Sequence, residues 1–256
     1  MAAGEVIVIP CLSDNYTYLV RCHRSEVTAI VDPGEAAPVI AALEERDWNL
    51  DLVINTHHHH DHIGGNAELI EKYGAKLLGP TAETARIPNM DETCAEGDQV
   101  LIGDLEGRVF DVPGHTSGHI AFYFSAITAL FSGDSLFALG CGRLFEGTPE
   151  QMWHSLQKFR NLPPSTQVYC GHEYTQANAK FAKTIEPDNA ILIARCQDID
   201  RLRARNLPTI PSRLDVELAT NPFLRADEPS VAAALGMSGE SPVAIFTEIR
   251  KRKDNF

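Results

Sequence analysis

The chain has 256 residues, of which 44% are hydrophobic and 22% are charged, and its formal net charge is −13. This composition is typical of a soluble globular protein, and no apolar run approaches the roughly 20 residues that a membrane-spanning helix needs. The acidic balance argues against a general nucleic-acid-binding protein, because contacts to phosphate require a basic surface.

The termini and the cysteines indicate where such a chain resides. The first residues lack the basic region and the long apolar core of a secretory signal. The six cysteines are scattered, with no C-x-x-C pair, which is typical of a reduced protein rather than of a disulfide framework. We therefore expect a cytoplasmic protein. A basic cluster, Arg250-Lys251-Arg252-Lys253, lies almost at the C-terminus of this acidic chain.

Up to about residue 174 the pattern predicts short strands with interspersed helices. Branched and aromatic runs predict strands at residues 5–9, 16–21, 27–31, 52–54, 75–78, 99–102, 107–112, 120–124, 129–131 and 167–170. Helical composition predicts helices at residues 36–45, 66–73 and about 149–159. The last of these follows Thr148, a capping residue, and has a proline and an acidic residue in its first turn.

After residue 174 the character of the chain changes. Helices are predicted at residues 177–185, 189–206 and 243–253, and the stretches 208–211, around Pro222 and around Pro229 are expected to be loops. The chain is therefore predicted to be an α+β protein. Residues 1–174 would form a domain of strands with interspersed helices, and residues 175–256 would form a mostly helical C-terminal domain.

The densest group of chemically active side chains follows the apolar run Leu52–Ile54. Five of the ten histidines fall within Thr56-His57-His58-His59-His60-Asp61-His62, and Gly64-Gly65 comes directly afterwards. This places the histidines in a tight loop between a buried strand and a helix, where functional residues are common. A purification tag is the alternative, but a tag is expected at a terminus and would contain no aspartate. Imidazole and carboxylate together indicate a metal site.

Three further loops share the property of following a short apolar strand and carrying His or Asp. They present His115, Asp134 and His172. Taken alone, Asp134 could be a turn residue and His115 could cap its turn, while His119 is better explained as a residue that orients a ligand. Together with the first loop, these residues predict a site for two divalent ions, with Asp134 as the natural bridge. None of the four loops supplies a cysteine ligand, so zinc, iron and manganese would all be accepted.

The stretch Thr56–His62 resembles the H-x-H-x-D-H motif of the metallo-β-lactamase superfamily. His115, Asp134 and His172 follow in the order in which that superfamily places its remaining ligands. The resemblance implies a four-layer αββα sandwich with the metals at one edge. It implies that the first ion is bound by His57, His59 and His115, the second by Asp61, His62 and His172, and both by Asp134. His58 and His60 would not be ligands.

Further stretches resemble the glyoxalase II family, the hydroxyacylglutathione hydrolases. They are Asp14-Asn15-Tyr16, residues 113–119, residues 132–137, residues 140–148, residues 170–174 and residues 250–256. This resemblance extends over essentially the whole chain, including the helical C-terminal part. It implies hydrolysis of glutathione thioesters, S-D-lactoylglutathione foremost, to glutathione and D-lactate.

Glutathione carries two carboxylates, so its site needs cations and hydrogen-bond donors. Arg143 and Tyr174 lie next to the metal loops, and Arg250 and Lys253 are three apart on the last helix. The alternative explanation for the basic cluster is a solvent-exposed helix end, where positive side chains interact favourably with the negative end of the helix dipole. Phe145 stands where many family members have a tyrosine, so the resemblance implies packing without one hydrogen bond, worth about 0.5–1.5 kcal/mol.

The expected mechanism is attack of a metal-bridging hydroxide on the thioester carbonyl. A zinc ion can lower the pKa of water from 15.7 to about 7, and Asp134 or Asp61 would hydrogen-bond the nucleophile. The thiolate is a good leaving group, so no general acid is required. Zinc is the expected metal, with iron or manganese as alternatives, and the protein is expected to be a monomer whose partner is a small molecule, with no nucleic-acid or membrane partner.

Other activities are known on the same fold. A mono-iron glutathione persulfide dioxygenase is the main alternative, because it also takes glutathione-linked substrates. A lactonase or a β-lactamase would leave Arg143, Tyr174 and the C-terminal cations unexplained, and a nuclease is disfavoured by charge. A binding module with a degenerate metal site is disfavoured because all seven ligand positions are filled.

Overall fold

The computed structural model describes residues 3–256, which form two compact units. The first unit contains the chain through Asp111 together with Gly118–Gly133, and the second contains Val112–Ser117 and Asp134–Phe256. The division of the chain into domains at residue 174 stays a prediction. Within residues 3–256, no helix is both long and apolar enough to span a bilayer.

The first unit begins with a mixed sheet. Its strands, in sheet order, are β1 (Gly4–Cys11), β2 (Asn15–Cys22), β3 (Thr28–Val31), β4 (Leu52–Ile54), β5 (Lys76–Pro80) and β6 (Glu92–Cys94). The first three strands pair antiparallel, and β3 through β6 are parallel. The helices between them are α1 (Ala37–Arg46), α2 (His60–Ile63) and α3 (Asn66–Tyr73). Parallel β3, β4 and β5 direct their carboxyl ends to the same edge.

A second, antiparallel set of strands completes the first unit. It comprises β7 (Gln99–Ile102), β8 (Leu105–Asp111), β9 (Ile120–Phe124) and β10 (Ala129–Gly133), with short 3₁₀ turns at Thr81–Glu83 and Ser125–Ile127 elsewhere in the unit. Alternation along β2 shows how the mixed sheet is covered on both faces. Leu19 joins the core formed with Val39 and Leu43 of α1, while the ring of Tyr18 lies 5.6 Å from that of Phe131 in β10.

The second unit is mostly helical. Its elements are the hairpin β11 (Leu136–Phe137) and β12 (Gly140–Cys141), α4 (Pro149–Arg160), β13 (Gln167–Cys170), α5 (Thr175–Ile185), α6 (Ala190–Arg203), β14 (Ser212–Arg213), α7 (Leu214–Thr220), a 3₁₀ turn at Pro222–Leu224, α8 (Pro229–Ala234) and α9 (Pro242–Asp254). α5 and α6 pack through small and branched side chains, and Phe223 lies between the rings of Phe181 and Phe246.

Several element predictions need correction in the second unit. The stretches around Pro222 and Pro229 are not loops, because a 3₁₀ turn and α8 begin at those prolines. Proline is accommodated at a first helical position, where its missing N–H is not needed. The predicted start of α4 is confirmed: Thr148 Oγ1 accepts from Gln151 N, and the Gln151 side chain accepts from Thr148 N, which completes a capping box.

Candidate metal centre

In the first unit, β4 leads directly into the histidine loop. Leu52–Ile54 are followed by Asn55, whose buried amide donates to His62 O at 3.0 Å and so closes the loop on itself. The imidazoles of His57 and His62 have ring centroids 4.2 Å apart, and those of His57 and His59 are 4.7 Å apart. A buried strand and a closed loop thus hold three of the predicted nitrogen ligands together.

Asp32, which directly follows neighbouring β3, lies against the candidate ligands and was not among the site residues predicted from the sequence. Its carboxylate accepts from Thr56 N at 2.8 Å and from Thr56 Oγ1 at 2.6 Å, and it lies 3.1 Å from His62 Nδ1. Asp32 is buried and has a positive φ of 51°. A buried carboxylate on one ring nitrogen fixes the imidazole and its tautomer, with the other nitrogen directed to a metal. Candidate ligand atoms of Asp32, His57 and His62 lie within 4.8 Å of one another.

Asp61 is held by Asn15, the first residue of β2. Asn15 Nδ2 donates to Asp61 Oδ2 at 2.9 Å, which gives a physical role to one member of the Asp14-Asn15-Tyr16 motif. Asp61 Oδ2 also lies 3.6 Å from His62 Nε2. If His62 Nδ1 carries the proton and donates to Asp32, the lone pair of His62 Nε2 faces the Asp61 carboxylate oxygen. Two acceptors so placed are stabilised by a cation between them.

Three other histidines lie in or near this loop, and two of them contact protein side chains. His58 Nδ1 lies 2.7 Å from Oε2 of the buried Glu83. His119 stacks on His57 with ring centroids 4.5 Å apart and an interplanar angle of 21°. His60 is exposed at the start of α2. The prediction that His58 and His60 are not ligands, and that His119 orients one, stays a prediction that these positions support.

The second unit brings together the other three predicted ligands. Oδ2 of Asp134 lies 3.3 Å from His115 Nε2 and 3.3 Å from His172 Nε2, and all three residues are about 5% exposed. His115 Nδ1 lies 2.9 Å from Arg143 O, so a neutral ring donates there and keeps its lone pair on Nε2. One carboxylate oxygen of Asp134 therefore faces the lone pair of His115 Nε2 and, on another side, the Nε2 atom of His172. This donor set suits a carboxylate that binds metal ions.

The predicted glutathione contacts also lie in the second unit. Phe145 is 62% exposed, and its ring centroid lies 5.1 Å from that of His115. Tyr174 stacks on His172 at 4.6 Å and 4°, which leaves one face of its ring toward solvent. Both aromatic residues are therefore placed beside a predicted metal ligand.

The two C-terminal cations differ in their surroundings. Lys253 Nζ lies 5.4 Å from the ring centroids of Phe181 and of Phe256, and its pKa is lowered by burial and by the nearby positive charges of Arg250 and Arg143. Converging cations are a favourable environment for a carboxylate. Arg250 is only 5% exposed; its guanidinium donates to Cys141 O at 3.0 Å and pairs with Asp254 at 2.7 Å. Most of the N–H donors of Arg250 are therefore used in contacts within the protein.

The comparisons with known proteins agree over the whole chain. The metallo-β-lactamase superfamily model matches residues 13–172, and the model for the hydroxyacylglutathione hydrolase C-terminus matches residues 173–256. The chain is 56% identical to the hydroxyacylglutathione hydrolase of Jannaschia sp. (strain CCS1), with 100% of both chains covered. It is 53% identical to that of Methylococcus capsulatus (strain ATCC 33009 / NCIMB 11132 / Bath), with 98% of both covered. The chain belongs to the hydroxyacylglutathione hydrolase family.

Solved structures of more distant proteins share the fold. The crystal structure of ETHE1 from Myxococcus xanthus has a TM-score of 0.68 at 24% identity, with 97% of this chain and 89% of that chain covered. The BLEG-1 B3 metallo-β-lactamase has a TM-score of 0.66 at 22% identity, with 86% of this chain and 99% of that chain covered. The prediction of a metallo-β-lactamase fold with a helical C-terminal region is confirmed for this hydroxyacylglutathione hydrolase family member.

The fold and the His/Asp cluster support divalent metal binding by this hydroxyacylglutathione hydrolase family member. Sequence reasoning found the residues that follow strands but missed Asp32 and the role of Asn15, which act on the ligands from other parts of the chain. The Asp32-Pro33-Gly34 turn was visible in the sequence as the end of β3. The last residue of this turn, Gly34, must lack a side chain for steric reasons, because a Cβ there would lie 2.3 Å from Asp61 O.

Proposed function

We propose that the protein is a binuclear-metal thioesterase that hydrolyses S-D-lactoylglutathione, and related 2-hydroxyacyl glutathione thioesters, to glutathione and D-lactate. The observation that carries the proposal is the full-length identity of 56% with a hydroxyacylglutathione hydrolase. The single Asp134 oxygen that faces two imidazole nitrogens supports it, since a carboxylate so placed can be shared by two metal ions.

Two zinc ions are the metals we propose, with iron or manganese as chemically acceptable substitutes. His57, His59 and His115 would hold the first ion, Asp61, His62 and His172 the second, and Asp134 both. Zinc lowers the pKa of water to about 7 and acts as a Lewis acid toward a carbonyl oxygen. The neutral imidazoles and the carboxylates of this set are hard to borderline donors, which suit such ions.

The protein's own residues would orient the ligands and move the proton. Asp32 orients His62, Asn15 orients Asp61, and Arg143 O orients His115. Asp134 or Asp61 would accept a proton from the attacking water through a carboxylate oxygen. The new C–O bond forms first and turns the carbonyl into a tetrahedral oxyanion. The C=O bond then re-forms as the C–S bond breaks, and the sulfur leaves as a thiolate, so no acidic side chain is needed at the leaving group.

Arg143, Tyr174, Phe145, Arg250 and Lys253 form the proposed glutathione site. Lys253 supplies a cation that is partly withdrawn from water, where a charge-assisted hydrogen bond is stronger than at the surface. Arg143 is exposed and adds a second cation that can hold a carboxylate with two parallel bonds. Phe145 contributes packing alone.

The direct test is hydrolysis of S-D-lactoylglutathione by purified protein that has been metallated, chelated and remetallated. We expect thiol release by the metallated enzyme, its loss on chelation and its return with zinc. Oxygen uptake with glutathione persulfide, with no thiol release from the thioester, would instead identify a persulfide dioxygenase. Metal analysis should give two ions per chain, and fewer than one in carefully prepared protein would contradict the proposal.

Replacing Lys253 with alanine is expected to raise KM for the thioester while changing kcat little. A charge-assisted contact to a remote carboxylate is worth about 1.5–3 kcal/mol, which corresponds to roughly a 10–100-fold fall in kcat/KM. The matched control is Lys251→Ala, since Lys251 is exposed on the same helix. A collapse of kcat at unchanged KM would contradict a glutathione-anchoring role.

The domain division, the location and the oligomeric state are also proposals. We propose a catalytic domain at residues 1–174 and a substrate-binding domain at residues 175–256; the junction of the two matching family models at residue 172 supports this division. We also propose a cytoplasmic location, supported by six free, buried cysteines among the described residues. We propose in addition that the protein is a monomer. Light scattering of the purified protein tests the monomer.

A further inference from the structure

The hairpin β11–β12 joins the proposed bridging ligand Asp134 to the proposed substrate cation Arg143. Its turn is unusual, because Leu139 is fully buried and has a positive φ of 57°. A leucine rarely adopts this conformation, and such a backbone persists only where its surroundings determine it. Strands of two residues each cannot determine it by themselves.

Side chains from the helical part of the second unit bind five polar backbone groups of this hairpin. Asn221 Nδ2 donates to Phe137 O and to Gly140 O, at 3.1 Å each. Asn178 Nδ2 donates to Ala138 O at 3.0 Å. Arg250 Nη1 donates to Cys141 O at 3.0 Å, and Glu217 Oε2 accepts from Leu139 N at 2.9 Å. We call Asn178, Glu217, Asn221 and Arg250 the hairpin clamp.

Glu217 and Asn221 form the centre of the hairpin clamp. Both are fully buried, and Asn221 Nδ2 donates to Glu217 Oε2 at 3.1 Å. The other oxygen of Glu217 accepts from Ser212 Oγ and pairs with Arg195. A buried carboxylate is costly unless it is paired and hydrogen-bonded, and here every contact of Oε2 serves the hairpin or its partner Asn221.

The exit of the hairpin touches the proposed metal ligands directly. Gly142 N donates to Ser135 O at 3.2 Å, and a Cβ on Gly142 would lie 2.0 Å from Asp134 O. The next carbonyl, Arg143 O, lies 2.9 Å from His115 Nδ1. A displaced hairpin would therefore shift the backbone of Asp134, release the ring of His115 and move the side chain of Arg143.

We propose that Glu217 and Asn221 are positioning residues for the metal and substrate groups, acting through the β11–β12 hairpin. The helical C-terminal part of the chain would then have two tasks: to contribute substrate cations and to preorganise Asp134, His115 and Arg143. The proposal rests on the proposed function for its kinetic readout. Its structural readout, the protection of hairpin amides, does not depend on activity.

The test compares Asn221→Ala with Ser212→Ala. The first removes the donor to two hairpin carbonyls, whereas the second removes a hydrogen bond on the far side of Glu217 and leaves the hairpin contacts in place. Hydrogen exchange of residues 135–143 is measured by mass spectrometry, and zinc loss is measured against a chelator. We expect Asn221→Ala to exchange these amides and lose zinc about 10-fold faster, and to lower kcat/KM about 10–100-fold. Ser212→Ala should stay within about 2-fold of wild type in all three.

The outcomes separate positioning from general stability. If Asn221→Ala and Ser212→Ala lower Tm equally but only Asn221→Ala speeds amide exchange in the hairpin and the loss of zinc, the proposal stands. If both variants behave alike, or if Asn221→Ala keeps wild-type exchange and zinc retention, the proposal is overturned. Should Asn221→Ala not fold, Asn178→Ala removes the single bond to Ala138 O and is expected to give the same pattern at smaller size. Absence of thioesterase activity in wild-type protein would contradict the proposed function alone.

Discussion

Replacing Asp134 with asparagine is expected to reduce kcat/KM for S-D-lactoylglutathione by at least about 10³-fold, or roughly 4 kcal/mol of transition-state stabilisation. Asparagine keeps the size of the side chain but presents a neutral amide. In the structure, one oxygen of Asp134 lies 3.3 Å from His115 Nε2 and from His172 Nε2. A neutral amide cannot supply the negative charge that two cations sharing this position require, so metal content should fall from two ions per chain to about one or fewer.

The measurements are metal analysis and thioester kinetics on the same preparation. Glu150→Gln is the matched control, since it removes one carboxylate charge from an exposed position in the first turn of α4. That control should keep both ions and its full activity. An Asp134→Asn enzyme that retains two ions and wild-type kcat would show that Asp134 is a turn residue, which is the alternative explanation for its sequence context.

The parts of the fold that the sequence predicted well are those in which local pattern and burial agree. β4 (Leu52–Ile54), β9 (Ile120–Phe124) and α3 (Asn66–Tyr73) have the predicted bounds. An apolar run flanked by turn residues is determined by its own burial, so its ends can be read locally. The proposed ligands His57 and His115 lie in loops that come after strands of this kind, which is why the sequence could predict them.

Elements that depend on distant partners were not predictable in the same way. The β11–β12 hairpin has two residues per strand and a left-handed Leu139, and nothing in its own sequence favours that turn. Its determinants are in α5, α7 and α9, of which α7 was not predicted at all. The loops expected around Pro222 and Pro229 were wrong for a related reason: proline ends a helical pattern in the sequence but also begins helices.

The residues that orient the proposed ligands were missed for the same physical reason. Asp32 acts on His62 from 30 positions away, and Asn15 acts on Asp61 from 46 positions away. Hydrogen bonds across parallel neighbours such as β3 and β4 depend on sheet order, which a single sequence does not specify. The proposed ligands could therefore be selected from the sequence by their chemistry, whereas the hydrogen bonds that hold them in place could be found only in the structure.

Substitution of Asp32 is expected to have the second largest effect, and a pair of variants separates its two roles. Asp32→Asn retains a residue that tolerates the positive φ of 51°, but its amide nitrogen cannot accept the hydrogen bonds of Thr56 Oγ1 and His62 Nδ1. Loss of an orienting partner of this kind lowers metal affinity about 10–100-fold. Asp32→Ala should lose as much metal affinity and additionally destabilise the apoprotein, because alanine is strained at that φ.

The control for this pair is Asp47→Asn. Asp47 has a nearly identical φ of 54°, but it is exposed at the C-terminal end of α1, where its backbone N–H donates to Glu44 O. Competition of zinc with a chelator and thermal unfolding of the metal-free protein give the two readouts. Asp47→Asn should leave zinc affinity unchanged. If Asp32→Asn also binds zinc as tightly as wild type while unfolding at a lower temperature, Asp32 stabilises the fold and does not orient His62 for a metal.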